Sequence, residues 1–245
     1  MRTRAGVGRD LGEYRLRWFG HSSFAIRSGT GTRVIADPNF DVTPGIEADA
    51  VTVSNDHFTH NNIDAVGGKP VVLRGITLDQ RWQPVKTKVK DILVVNLPSI
   101  RNFEYGRIAN SIFVYEMGSL CIAHMGNIGH LLTPKQEKLL RRVDVMMIPI
   151  DARNNLDFPE LEKVIEQVKA PIVIPMHYDD PDQAEYFAAF LGDRYPVRRH
   201  RKSLLVLTRA ALPKSTEVFI LPHPNPYAGG WGGGGGFNPD TDDEP

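Results

Sequence analysis

The chain has almost no cysteine: Cys121 is the only one in 245 residues. An internal disulfide is therefore excluded, and a reducing compartment suits the chain. Its neighbours, Ser119-Leu120-Cys121-Ile122-Ala123, read as a buried strand, so packing rather than thiol chemistry is the expectation for it. There is no surplus of charge of either sign, with 29 basic and 29 acidic residues. That balance excludes bulk attraction to nucleic acid or to a lipid surface. The one basic cluster, residues 198–202, lacks interleaved aromatics and reads as a solvated face. No apolar run reaches the length of a membrane span. Residues 1–9 are basic but no apolar core follows, so no signal peptide is expected and the cytoplasm is the default.

What is present is ordinary globular material, 41% hydrophobic and 24% charged, enough to bury a substantial core in one large domain or two small ones. Residues 1–12 read as a leader, 13–227 as the folded domain and 228–245 as a glycine-rich acidic tail. That tail, with Gly232 to Gly236 and four acids at its end, has nothing to pack. Trp231 and Phe237 are its only large apolar residues and offer a contact to a protein partner.

Alternating or apolar runs predict strands over 14–19, 23–27, 32–36, 50–54, 70–73, 84–90, 90–97, 111–116 and 119–124, with Met117-Gly118 as a hairpin turn. Asp37-Pro38 ends the third of these. The second half changes rhythm. Thr133-Pro134-Lys135-Gln136 carries the signature of a helix start. Residues 143–150 and 171–176 are buried strands, and 203–207 and 217–221 close the domain. Residues 157–169 are an amphipathic helix with Leu161, Val164, Ile165 and Val168 on one face, and 181–191 a further helix. Strands first and strand–helix alternation afterwards predict an α/β sandwich.

The stretch that carries chemistry is Ser54-Asn55-Asp56-His57-Phe58-Thr59-His60-Asn61, a polar turn at the end of an apolar strand. Two imidazoles three residues apart are too few to hold zinc alone, which takes three protein ligands and water, or four. Three further strings add context: Phe19-Gly20-His21-Ser22-Ser23-Phe24, Ala123-His124-Met125-Gly126-Asn127-Ile128-Gly129-His130, and Ile174-Pro175-Met176-His177-Tyr178. In this order they resemble the metallo-β-lactamase superfamily, in the branch similar to the ascorbate-6-phosphate lactonases, from about residue 14 to about residue 207. The resemblance implies an αββα sandwich, two mixed sheets flanked by helices, and metal-assisted hydrolysis by a pair of ions.

Against that pattern several ligand positions have changed. The usual His-x-His-x-Asp-His reads Asn55, His57, Thr59 and His60 at its ligand positions. The histidine that relatives of this branch carry before an acid is Arg101, beside Asn102, and the acid that bridges both ions is Asn127. His177 is kept. Two carboxylates have become neutral and one imidazole a cation, a gain of about three positive charges. A divalent ion about 4 Å from a guanidinium is opposed by roughly 8 kcal/mol at an effective dielectric of about 20.

Two functions follow. In the first, the protein is a metal-free or metal-poor relative, non-catalytic or binding a small anion, with Arg101, Asn55, Asn102, Asn127 and Thr59 lining the pocket. In the second it hydrolyses a phosphoester or lactone with one zinc, manganese or iron ion. There His60 and His177 hold the ion, His57 or a water completes it, and Asp56 or Asp151 is the base. His21 is expected near the site or as a turn residue bonded to backbone. His124 reads as a hydrogen-bonded core residue or an outer partner of the site, His130 as an outer partner, Asp37 as facing the pocket or capping a turn, and His223 as a loop residue. Proteins of this class also form homo-oligomers.

Overall fold

The computed structural model describes residues 12–40, 46–103, 106–153 and 155–224. The tail and all but the last residue of the leader lie outside them. The first half of the chain lays down β1 (Tyr14–Trp18), β2 (Phe24–Arg27), β3 (Arg33–Ala36), β4 (Ile46–Glu47), β5 (Ala50–Val53), β6 (Val66–Gly67), β7 (Val71–Arg74), β8 (Lys86–Val89), β9 (Ile92–Phe103), β10 (Gly106–Met117) and β11 (Leu120–His124). The second half alternates α1 (Pro134–Leu140), β12 (Val145–Pro149), α2 (Phe158–Val168), β13 (Ile172–Met176) and α3 (Asp182–Leu191). It closes with β14 (Val197–Arg199), β15 (Leu204–Leu207) and β16 (Glu217–Ile220).

These strands form two mixed sheets. One has the order β15-β1-β2-β3-β5-β7, the other β14-β16-β13-β12-β11-β10-β9-β8, while β4 and β6 pair separately. Pairing is antiparallel where a turn joins neighbours, as in β1–β2 with Trp18 opposite Phe24. It is parallel where longer connections intervene, as in β3–β5, β11–β12 and β12–β13. The main core includes Trp18, Phe24, Phe113, Tyr115, Ile122 and Met147, and a smaller second cluster holds Phe19, Ala25, Ile35, Val51, Val53 and Val66. This is the α/β sandwich that the sequence predicts. All three α-helices of the described residues come from the second half. Among the described residues no helix is long and apolar enough to cross a membrane.

Local chemistry explains the helix starts. Thr133 accepts from Gln136 N while the Gln136 side chain bonds back to Thr133, and Pro134 occupies the first turn. Asp157 and Glu160 make a second such pair before α2, whose buried residues are Leu161, Val164, Ile165 and Val168.

Where structure and sequence differ most is the hairpin β9–β10. Expected as two short strands, it runs twelve residues on each side, paired without interruption from Met117↔Ile92 to Gly106↔Phe103. Within residues 98–102, Ser99 and Arg101 share one face and are buried although polar, and Pro98 is exposed, so the apolar run breaks and the strand is hidden from the sequence. Arg101 is therefore carried on a strand, opposite Ile108, and not on a loop.

Candidate metal centre

The polar residues gather where the chain leaves its strands. His21 follows β1, Asp37 follows β3, the turn 54–60 follows β5, Gly126 and Asn127 follow β11, Asp151 follows β12 and His177 follows β13. The carboxyl ends of strands are where α/β folds place ligands. The turns are sharp. His21, Asp37 and His177 all have positive φ, at 47°, 45° and 62°. For non-glycine residues this costs on the order of 1–2 kcal/mol each, and such strain concentrates at functional sites.

Asp37 organises the first layer. Its backbone N–H donates to Thr52 O at 2.9 Å, and its carboxylate accepts from Ser54 N at 2.7 Å, from the Ser54 hydroxyl and from His60 Nδ1 at 2.7 Å. Burial pushes this carboxyl up, but His124, His60 and Ser54 together outweigh it and hold it below the usual range. His60, fully buried, is pulled down to about 3 by burial, against the pull of Asp37. It is thus a neutral imidazole whose Nδ1–H is committed to Asp37, leaving a lone pair on Nε2.

That lone pair faces His177 Nε2 at 3.1 Å. Asp151 Oδ2 stands 3.1 Å from His177 Nδ1, at ion-pair distance but without hydrogen-bond alignment, and Asn155 Nδ2 holds the other carboxylate oxygen. His21 completes the group. Its ring lies 3.8 Å from that of His177, its backbone carbonyl accepts from His177 N at 2.7 Å, and its Nδ1 is 3.4 Å from Asp179. Its Nε2 is buried with no partner among the described residues. Burial, then His177, lower its pKa. One nitrogen from each of His21, His60 and His177 lies within 4.8 Å of the others. Two ligands about 2.05 Å from a tetrahedral ion stand about 3.3 Å apart, so the 3.1 Å gap is close to what such an ion needs. The facing lone pair, the orphaned His21 Nε2 and the carboxylates behind two imidazoles are the arrangement of a metal site with its outer partners in place. The residues fit one ion.

His57 stands apart from this set. Its Nδ1 is turned to Thr59 Oγ1 at 2.8 Å, and its ring centroid is 6.4 Å from that of His60. The third converging imidazole is His21, a turn histidine whose only sequence signal was its place beside Gly20 in a string matching the family pattern. Arg101 is buried, only 6% exposed, and lies close enough to His57 that, after burial, it is the main charge holding that imidazole down. Burial lowers the pKa of Arg101 itself, yet a guanidinium stays charged. Asn55 and Asn127 are buried, and the Oδ1 of each has no partner among the described residues. Asn127 N donates to Asn110 Oδ1 at 3.0 Å. Asn102 is half-buried beside Gly129, whose N–H donates to Ile100 O at 2.8 Å, and a Cβ on Gly129 would fall 2.6 Å from Asn102 N. Gly126 is equally confined. Its φ is +55°, and a Cβ there would come within 2.5 Å of Asn110 Oδ1 and 2.9 Å of Ser54 Oγ.

The two acids expected as bases differ in placement. Asp56 is occupied by Asn61 Nδ2 at 2.7 Å and Arg74 at 3.4 Å. Asp151 is in the site, kept ionised against burial by His177 and Asn155. His124 is a satisfied core residue, its Nε2–H donating to Ser22 O at 2.8 Å and its Nδ1 accepting from Gly126 N at 3.1 Å. His130 accepts the Ser99 hydroxyl at 3.0 Å on Nε2 and donates from Nδ1 to Leu131 O at 2.7 Å, a pairing with no sequence signal.

Two mixed sheets in sandwich, with histidines and carboxylates at the strand ends, define a metallo-β-lactamase-type protein. The comparisons agree: the model of the beta-lactamase superfamily domain matches residues 15–177, and the chain belongs to that family. A UPF0173 protein of Pyrococcus furiosus is 25% identical over 195 residues, 70% of this chain and 86% of that protein. A UPF0173 metal-dependent hydrolase of Thermococcus onnurineus is 25% identical over 222 residues, 75% of this chain and 94% of that one. Among solved structures, a metallo-beta-lactamase superfamily protein of Thermotoga maritima superposes with a TM-score of 0.66 at 26% identity, covering 85% of this chain and 98% of its own.

Proposed function

We propose that this protein hydrolyses an ester bond of an anionic substrate using one divalent ion, held by His60, His177 and His21. The observation that carries the reading is the 3.1 Å approach of His60 Nε2 to His177 Nε2 while Asp37 occupies the far nitrogen of His60. A lone pair so placed needs a proton or a cation between the rings, and the buried, unpartnered His21 Nε2 beside them favours a cation. Relatives named metal-dependent hydrolases support the reaction class. A bound ion supplies Lewis acidity and a water of lowered pKa.

The chain's own residues do the rest. Asp37 fixes the His60 ring and its tautomer. Asp151, ionised and 3.1 Å from His177, is better placed than Asp56 to take a proton, because it adjoins the imidazole cluster whereas Asp56 is paired with Arg74 and Asn61. Arg101 stands where the family resemblance puts a second ion. Its planar fork suits a carboxylate or phosphate group of the substrate, and Asn55, Asn102, Asn127 and Thr59 are the polar residues we assign to the same pocket.

Elemental analysis of protein purified without added metal tests this directly. About one equivalent of zinc, manganese or iron is expected, lost in His60→Ala and His177→Ala, together with chelator-sensitive hydrolysis of generic phosphodiesters or lactones. Protein that is metal-free and takes up none on titration overturns it. The buried Arg101 then favours the second reading, a non-catalytic pocket for a small anion.

A further inference from the structure

From the imidazole cluster a run of aromatic rings leads out to solvent. His60 is 6.4 Å, centroid to centroid, from His57, His57 is 4.3 Å from Phe58, and Phe58 is 6.0 Å from Phe40. The outer two rings are exposed, Phe58 by 52% and Phe40 by 71%. They come from different loops, one after β3 and one after β5, and pack against each other. The two phenyl rings are in mutual contact and open to water, so together they present one apolar surface to a ligand. Their inner end is fixed: the Phe58 ring lies at 41° against His57, which is tied to Thr59 and lies close to the Arg101 guanidinium.

We propose that Phe40 and Phe58 form the subsite for an apolar group, an aryl or bulky acyl moiety, of the substrate whose anionic group Arg101 receives. The inference rests on the proposed function, since it takes the Arg101 pocket as the anion site. Charge and continuity argue for this occupant. The inner end of the ring run is electrostatically coupled to the buried Arg101 cation, and the outer end presents two exposed phenyl rings. A ligand spanning both is an amphiphile, acidic at one end and apolar at the other, with the scissile ester between them opposite the imidazole cluster. Phe58 and Phe40 are specificity-determining residues in this arrangement and take no part in bond breaking.

The test is a calorimetric titration of the full chain with methylphosphonate and with phenylphosphonate, two non-hydrolysable anions differing in the apolar group. Phenylphosphonate is expected to bind about tenfold tighter to the wild type. The advantage falls to near unity in Phe40→Ser/Phe58→Ser and survives in part in Phe58→Leu, which keeps apolar surface. Arg101→Gln weakens both ligands alike and leaves the ratio intact. Equal binding of the two by the wild type, or a ratio unchanged in the double variant, overturns the ring subsite and leaves the Arg101 reading standing. Absence of methylphosphonate binding overturns both. Loss of a dimer in Phe58→Ser, with the ratio unchanged, assigns the rings instead to an interface between copies of the chain.

Discussion

His60 and His177, 117 residues apart in the chain, bring their Nε2 atoms to 3.1 Å of each other at the ends of strands in opposite sheets. Each imidazole has a carboxylate at its other nitrogen, Asp37 behind His60 and Asp151 behind His177. The sandwich thus positions two imidazoles whose distance depends on sheet-to-sheet packing, and His21 joins them through a turn held by His177 N.

That geometry separates His21 from His57. If the ion sits among the three converging nitrogens, His21→Ala removes one of three protein ligands and lowers affinity at least tenfold. His57→Ala, whose Nδ1 faces Thr59, changes it by less than about threefold. Competition with a metal-sensitive dye on both variants checks this. The opposite ranking sinks the three-histidine site.

Asp37→Asn tests the orienting role of the carboxylate. The amide is close in shape but carries no charge, and one of its two groups is mismatched to Ser54 or His60. Metal affinity is expected to fall about 10–100-fold, in line with loss of an outer partner of a ligating histidine. Thermal unfolding of the metal-free variant is also expected at lower temperature, because Asp37 is fully buried and its partners lose their acceptor. Unchanged affinity with lowered stability makes Asp37 purely structural.

Much of this fold is legible in the sequence, because strands that end at proline or glycine and helices that begin with Thr133-Pro134 or Asp157-Phe158-Pro159 announce themselves through local chemistry. The outer half of β9–β10 is not, since Pro98 and the polar Ser99, Arg101 and Asn102 break the apolar period that marks a strand. His60 and His177 are readable as candidates from their motifs. His21 is readable only as a histidine near the site or in a turn, because its convergence on the other two depends on a positive φ after Gly20 and on a hydrogen bond to His177, neither of which a one-dimensional pattern contains. The ring run from Phe40 to His57 is hidden for the same reason: it joins two loops that only packing brings together.

Acid should unfold the metal-free protein in a defined window. His60 has its pKa lowered to about 3 in the fold, against an ordinary 6.5 when unfolded. Between those values the unfolded chain binds a proton that the folded chain refuses, so stability falls as pH falls through that range and is fully present above it. Asp37, also lowered, acts in the same direction below its ordinary range. The slope for one such proton is at most about 1.4 kcal/mol per pH unit. Calorimetric melting in chelator at pH 7.5, 6 and 5 should give steadily lower midpoints. A midpoint that is flat or rising from pH 7.5 to 5 contradicts a neutral, buried His60.

The charge substitution at Arg101 is reversible by design. If Arg101 and the neutral amides are what exclude a second ion, then returning a histidine and an acid to those positions should readmit it. Arg101→His/Asn127→Asp removes a buried cation and adds a carboxylate at a position whose buried Oδ1 has no partner among the described residues. Repulsion of roughly 8 kcal/mol toward a divalent ion about 4 Å away, at an effective dielectric of about 20, is thereby abolished, and one anionic ligand is gained. Metal content after dialysis against zinc or manganese should rise from about one equivalent toward two. Arg101→Gln, which removes the cation without adding a ligand, should stay near one. The His21 cluster is untouched in each variant, so an increase in the double variant alone locates the second ion at the Arg101 end of the pocket. A stoichiometry of one in both variants shows that the backbone there, and not the guanidinium, sets the limit.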